Sequence, residues 1–188
     1  VTYHPVTLEA EQTEYQIGEV LAALETLALP VVFTLPNADT GGKTITRRVK
    51  EFTARHASAR LVENLGTQDY FSFMSLAAAM VGNSSSGLVE APSFHLPVVN
   101  IGTRQRGRIR GRNVIDVGYE RSAIIEGVRR AVSQEFKAML KGEKNPYGSG
   151  SASEKIVDTL KRVSLDARLI VKRFFDVSPA SISRPGDI

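Results

Sequence analysis

Three consecutive serines, Ser84, Ser85 and Ser86, stand between a short apolar run and a lone acid, Glu90, in the stretch "GNSSSGLVEAPSFHLPVVNIG". Small hydroxylated residues where a strand runs into a helix give an anion both hydroxyl donors and free backbone N–H groups, with the helix dipole in its favour. The same serines could equally cap a helix. Glu90 follows Ser86 by four residues, about one helical turn. A carboxylate there repels phosphate but accepts from ribose hydroxyls; its plain alternative is a solvated helix glutamate.

Two other stretches carry matching chemistry. His4 follows the first apolar run and precedes Pro5, which holds it extended, so its ring can donate to a phosphate or to a leaving oxygen. It is the one candidate catalytic residue of the chain. Arg104, Arg106, Arg108, Arg110 and Arg112 occupy every second position of "TRQRGRIRGR". On a strand they would form a single stripe suited to nucleic acid. Gly107 and Gly111 favour a loop instead, and no interleaved aromatic is present to stack a base. An arginine loop over a phosphate site is therefore expected, and nucleic acid is not. Arg104, two residues past Gly102, is nearest the ligand; Arg110 and Arg112 are expected in solvent or facing another domain. Asn37 and Asp39 in "PNADTGG" can serve as contacts or caps. His56 and His95 are expected to be structural.

These residues need elements to position them. Short apolar runs at 1–3, 31–35, 60–63, 79–82, 98–101 and 113–117 read as strands. Amphipathic patterns at 8–27, 44–55, 68–78, 87–94, 123–133 and 154–163 read as helices. Alternation of the two implies βαβ crossovers: an α/β, Rossmann-like parallel sheet with helices on both faces. In such a sheet ligands bind outside the carboxyl ends of the strands. "HPVTLE", "PNADTGG", "NLGTQD", "GNSSSG" and the arginine run all fall there.

The chain has 188 residues, 42% hydrophobic and 23% charged, with a net charge of +4. That size suits one domain, expected over 1–177, with an irregular tail at 178–188. The positive balance suits an anionic ligand. No apolar run approaches the roughly 18 residues of a membrane span, and no signal peptide opens the chain. There is no cysteine, which excludes disulfides and thiolate zinc sites and is compatible with the cytoplasm. No metal and no cofactor is expected. G-x-G-x-x-G and P-loop patterns are both missing, which argues against a nicotinamide dehydrogenase and a Walker-type NTPase.

The runs "VTYHPVTLE", "GNSSSGLVEAPSFHLPVVNIGTRQRGR" and "NPYGSGSASEKIVDTL" together resemble the C-terminal half of the UDP-N-acetylglucosamine 2-epimerases, in particular the hydrolysing branch. The resemblance implies a glycosyltransferase-B architecture, two Rossmann-like domains with the nucleotide sugar between them, of which this chain is the UDP-holding second. It implies a diphosphate contact for His4, a phosphate cradle for Ser84, Ser85 and Ser86, ribose acceptance for Glu90 and a diphosphate contact for Arg104. Asn37 would shape the pocket floor, and the backbone near Tyr70 would meet the uracil edge. The family's chemistry eliminates UDP across C1–C2 to a glycal and then adds water, with the proton-moving carboxylates in an N-terminal domain. That domain would be the chain's partner, beside the UDP-sugar; a homo-oligomer stays open. His4-Pro5-Val6-Thr7 and Asn83-Ser84-Ser85-Ser86 depart from the His-Arg-Arg-Glu and Asp-Ser-Gly-Gly of the non-hydrolysing branch. A glycosyltransferase of the same architecture, a non-hydrolysing epimerase and a nucleotide-binding regulatory module are the competing readings.

Overall fold

A computed structural model describes residues 1–171, and the expected boundary at 177 with its tail lies outside them. The chain divides into two units, Val1–Ser149 and the segment from Gly150 onward.

In the first unit, strands β1 (Val31–Thr34) and β2 (Ala59–Val62) pair in parallel, and so do β3 (Met80–Gly82), β4 (Val98–Ile101) and β5 (Val114–Val117) in the order β3-β4-β5. The first three residues join the two ladders. Val1 N donates to Val32 O at 2.7 Å and Thr34 N to Val1 O at 3.0 Å on one side; Thr2 N donates to Val81 O and Asn83 N to Thr2 O on the other. Residues 1–3, expected as a strand, thus occupy the middle of one continuous parallel array. Thr2 is also tied to Thr34 through their hydroxyls, 2.6 Å apart.

Apolar side chains alternate between two faces along the central strands. Val81, Val99 and Ile101 join one core with Ile17, Val20 and Leu24 of α1 (Thr13–Leu27), Ile45, Val49 and Phe52 of α2 (Gly42–Arg55), and Ile124 and Val128 of α5 (Arg121–Val132). Met80 and Val98 face the other way, onto Met74 of α3 (Gly66–Leu76) and onto Ala91 and Leu96. All four residues of β4 are buried, as a parallel strand covered on both faces requires. The α/β architecture expected from the alternation is the one observed.

Two expected helices are broken. The pattern over 8–27 begins as a 3-10 segment, Thr7–Gln12, with Glu9 outside helical geometry, before α1 takes over. Leu8 is 98% exposed, so no apolar contact holds the first turn to the helix. The pattern over 87–94 splits into α4 (Ser86–Val89) and a 3-10 segment, Ala91–Phe94. Pro92 is the cause, since it lacks an N–H and crowds the preceding turn. After β5 come α5 and α6 (Gln134–Met139), the latter capped by Ser133 Oγ, which accepts from Phe136 N.

The second unit holds α7 (Ala152–Arg162) and α8 (Ala167–Ile170), neither with a buried residue. Among the described residues no helix is long and apolar enough to cross a membrane.

Candidate functional site

The carboxyl ends of the central strands open into a cleft of about 580 Å³. Pro5, Glu9, Asp39, Ser85, Arg104 and Arg106 are among its walls. The residue that organises this rim is Asn83, at the exit of β3 and 0% exposed. Its Oδ1 accepts from the N–H of His4 at 2.7 Å, and its Nδ2 donates to the carbonyl of His4 at 2.8 Å. This two-way clamp fixes the first segment to the serine turn. The carbonyl of Asn83 in turn accepts from Arg104 Nη1 at 3.1 Å and from Gln105 Nε2 at 2.8 Å. One buried asparagine, through its side chain and its main-chain carbonyl, therefore ties the histidine and the arginine loop to the start of the serine turn. Gly82, just before it, has φ +135, and a Cβ there would lie 2.0 Å from the carbonyl oxygen of Thr2; only glycine permits that approach.

His4 presents one defined nitrogen. Its Nδ1 accepts from the backbone N–H of Asn37 at 3.0 Å, so the ring proton sits on Nε2. Burial, and then the nearby Arg104, push its pKa down to about 4, against an opposing pull from Asp39. At neutral pH the ring is an uncharged N–H donor. Asn37 binds Asp39 Oδ2 through its side-chain amide at 2.5 Å, while its own Oδ1 is buried without a partner.

The serine turn is short and half-buried. The hydroxyl of Ser84 accepts a long bond from Ser86 N at 3.4 Å, and the carbonyls of Ser84, Ser85 and Ser86 begin α4. Ser85, the residue before α4, has no side-chain cap bond, so the capping role open to it from sequence is not the one it plays here. Glu90 stands at the junction of α4 with the 3-10 segment, and its Oε2 is buried without a donor. An unpaired buried carboxylate oxygen is costly; this one is an acceptor without donors from the chain. Asn145 Nδ2 steadies the junction through Val89 O and Ser93 Oγ, both at 2.8 Å.

The arginine run is a loop, as its glycines imply. Arg104 is half-buried, and burial, then nearby Arg108, lower its pKa against the pull of Asp39. Arg110 departs from the expectation that it lies in solvent or faces another domain. It is paired with Asp116 and donates from Nη2 to Gln105 O at 3.1 Å, and Asp116 also accepts from Asn100 at 2.7 Å. Arg110 ties the loop to β5, whose Asp116 lies directly beside β4's Asn100. Arg112 is exposed, 3.9 Å from Glu143. His56 stacks on Phe52 and His95 takes the left-handed turn before β4, both structural as expected.

Tyr70 is not among the residues lining this cleft. It borders a separate apolar groove of about 480 Å³ with Phe73, Met74 and Leu96, because Tyr70 and Met74 lie on the side of α3 that packs with Met80, Leu96 and Phe94. Of the expected contacts, Ser85 and Arg104 line the cleft; His4 and Asn37 are hydrogen-bonded to each other outside that lining, and Glu90 ends α4. Sequence reasoning passed over Asn83, Gln105, Glu9, Thr103 and Tyr119 as site residues. The signal for Asn83 was a side-chain amide at a strand exit inside the serine motif.

A family model described as UDP-N-acetylglucosamine 2-epimerase matches residues 1–161. The chain belongs to this family. Among its epimerase relatives, the GDP/UDP-N,N'-diacetylbacillosamine 2-epimerase (hydrolyzing) of Campylobacter jejuni is 42% identical over 180 residues, 94% of this chain and 46% of the relative. The polysialic acid biosynthesis protein P7 of Escherichia coli is 34% identical across 97% of this chain and 47% of its own length. The chain thus spans about half the length of these relatives. In three dimensions it resembles the UDP-GlcNAc 2-epimerase of Neisseria meningitidis bound to UDP-GlcNAc, with TM-score 0.68 and 23% identity over 86% of this chain and 44% of that one. The S. aureus MnaA–UDP co-structure gives TM-score 0.67 and 20% identity over 85% and 43%. At these identities the likeness concerns the fold, and the epimerase half-fold is the one described above.

Proposed function

We propose that this chain is the UDP-holding half of a cytoplasmic, hydrolysing UDP-amino-sugar 2-epimerase. The observation that carries the reading is the convergence on Asn83: this buried asparagine clamps the His4 backbone with its side-chain amide and accepts from the Arg104 guanidinium at its main-chain carbonyl, beside a cleft that Ser85 and Arg104 line. Such a set suits a diphosphate, with Arg104 supplying charge and His4 Nε2–H and the serine hydroxyls supplying neutral donors. Glu90 Oε2 takes the ribose hydroxyls, which end its burial without a donor. Asn37 closes the pocket floor. Kinship with the hydrolysing Campylobacter jejuni relative at 42% identity supports the branch.

In the reaction of this reading, the C1–O bond breaks with its electrons leaving on UDP as a proton leaves C2. Water then adds to the glycal with inversion at C2, giving free sugar and UDP. His4 hydrogen-bonds the departing phosphate oxygens, and Arg104 stabilises the charge that grows there. The carboxylates that move the C2 proton lie in an N-terminal half that completes the cleft. The test is product analysis of the full-length protein with UDP-N-acetylglucosamine and with its 2,4-diacetamido analogue, no acceptor being added. Release of UDP with a C2-inverted free sugar supports the reading. Turnover only on addition of a sugar acceptor would identify a transferase instead.

A further inference from the structure

Glu9 stands on the wall of a cleft that Arg104, Arg106 and Arg108 also line, yet its carboxylate is taken up by the chain itself. Three donors from separate parts of the sequence converge on it: Gln16 Nε2 of α1 at 2.7 Å, Thr103 Oγ1 at 2.5 Å and Tyr119 OH at 2.6 Å. Gln16 is fully buried and accepts from Tyr3 OH at 3.1 Å, so the network reaches the central segment of the sheet. Tyr119 OH also accepts from the backbone N–H of Thr103 at 3.1 Å. Thr103 is therefore held twice, by its hydroxyl and by its main chain. Its neighbour Gly102, at φ +75, lies so close to the Tyr119 ring that a Cβ would sit 2.1 Å from it. The next residue is Arg104.

The carboxyl of Glu9 is held below its usual range. Burial acts to raise it, but the bonds from Thr103, Tyr119 and Gln16, together with Arg106, outweigh that effect. A charged carboxylate on the wall of an anion cleft is otherwise unfavourable, since like charges repel. We infer that Glu9 is a positioning residue: through Thr103 and Tyr119 it fixes the chain leaving β4 so that Arg104 is aimed at the anion. This rests on the reading that the cleft takes a diphosphate.

The inference and the bare Coulomb effect have opposite signs. If Glu9 merely repelled the ligand, Glu9→Gln would tighten UDP. If it positions Arg104, the amide cannot accept from all three donors, and Glu9→Gln weakens UDP by about tenfold, on the scale of one charge-assisted bond. Uridine, which has no phosphate, binds both forms equally. In an Arg104→Ala background Glu9→Gln has no further effect, because the two act as one unit. Thr103→Val, a milder change, gives a smaller loss in the same direction. A second measurement needs no ligand. Amide hydrogen exchange over residues 103–110 quickens in Glu9→Gln while β1 and α2 keep their protection. Tighter UDP binding, a full additional loss in the Arg104→Ala background, or unchanged exchange over 103–110 overturns the inference. Failure of the unmodified chain to bind UDP would count against the functional reading, and the exchange measurement would then decide the inference alone.

Discussion

The carbonyl of Asn83 accepts from both Arg104 and Gln105, and its side-chain amide grips both backbone polar groups of His4. At this scale three expectations follow. Glu90→Ala should weaken UDP by about 1.5–3 kcal/mol, the range for hydrogen bonds to a charged group. The substitution should matter less for 2'-deoxy-UDP; equal losses on the two ligands by titration calorimetry would remove Glu90 from the ribose. Arg104→Ala should cost UDP a similar amount and leave uridine unchanged. Arg110→Ala acts differently, because it strips Asp116 of its ion pair and the loop of its brace, and it should appear in thermal unfolding before it appears in phosphate selectivity. His4 carries a pH signature. Its pKa is about 4 in the fold against 6.5 in the unfolded chain, so between those values the unfolded state holds more protons and stability falls as pH falls. The loss should be about 1–2 kcal/mol, after discounting 1.36 kcal/mol per pKa unit for a ring that is only partly buried. Denaturant titrations at pH 7 and pH 4 should show it in the unmodified chain and much less of it in His4→Gln.

At the scale of elements, the clamp between the first segment and the exit of β3 carries the site. Asn83→Ala leaves the His4 N–H and the His4 carbonyl without their buried partners, and it should destabilise the fold by about 2–4 kcal/mol in chemical denaturation, in the upper range for point changes. A cost below about 0.5 kcal/mol would mean the clamp is ornamental. The elements themselves were legible in the sequence because burial on both faces writes continuous apolar runs such as "VVNI", and one-sided burial writes the spacing of Ile45, Val49 and Phe52. The Ser84–Ser86 turn was legible as a place where a strand meets a helix. Less legible was anything that depends on who meets whom. Pro92 was visible, but the break it makes at Glu90 required knowing that the preceding turn was α4. Nothing in the spacing of Glu9, Thr103 and Tyr119 marks them as partners, since β4 and β5 bring together residues 94 and 110 positions apart. Arg110 read as solvated or facing another domain for a similar reason: its acid, Asp116, is placed by the pairing of β5 with β4.

For the molecule as a whole, the proposed reading gives the chain one wall of a larger cleft. Its donors lie on the rim of a parallel sheet, and it spans about half the length of the relatives it matches. This chain alone should therefore bind UDP without releasing sugar from UDP-N-acetylglucosamine, and sugar release by the 188-residue chain would contradict the division of labour between two halves. The most direct test of the central claim, that the Asn83-centred rim holds a nucleoside diphosphate, is calorimetric titration of this chain with UDP and with uridine in parallel. The account predicts saturable UDP binding at one site, with uridine weaker by at least about tenfold because Arg104 and the serine turn then have no phosphate to hold. Equal affinity for the two ligands, or no UDP binding by the folded chain, would contradict it.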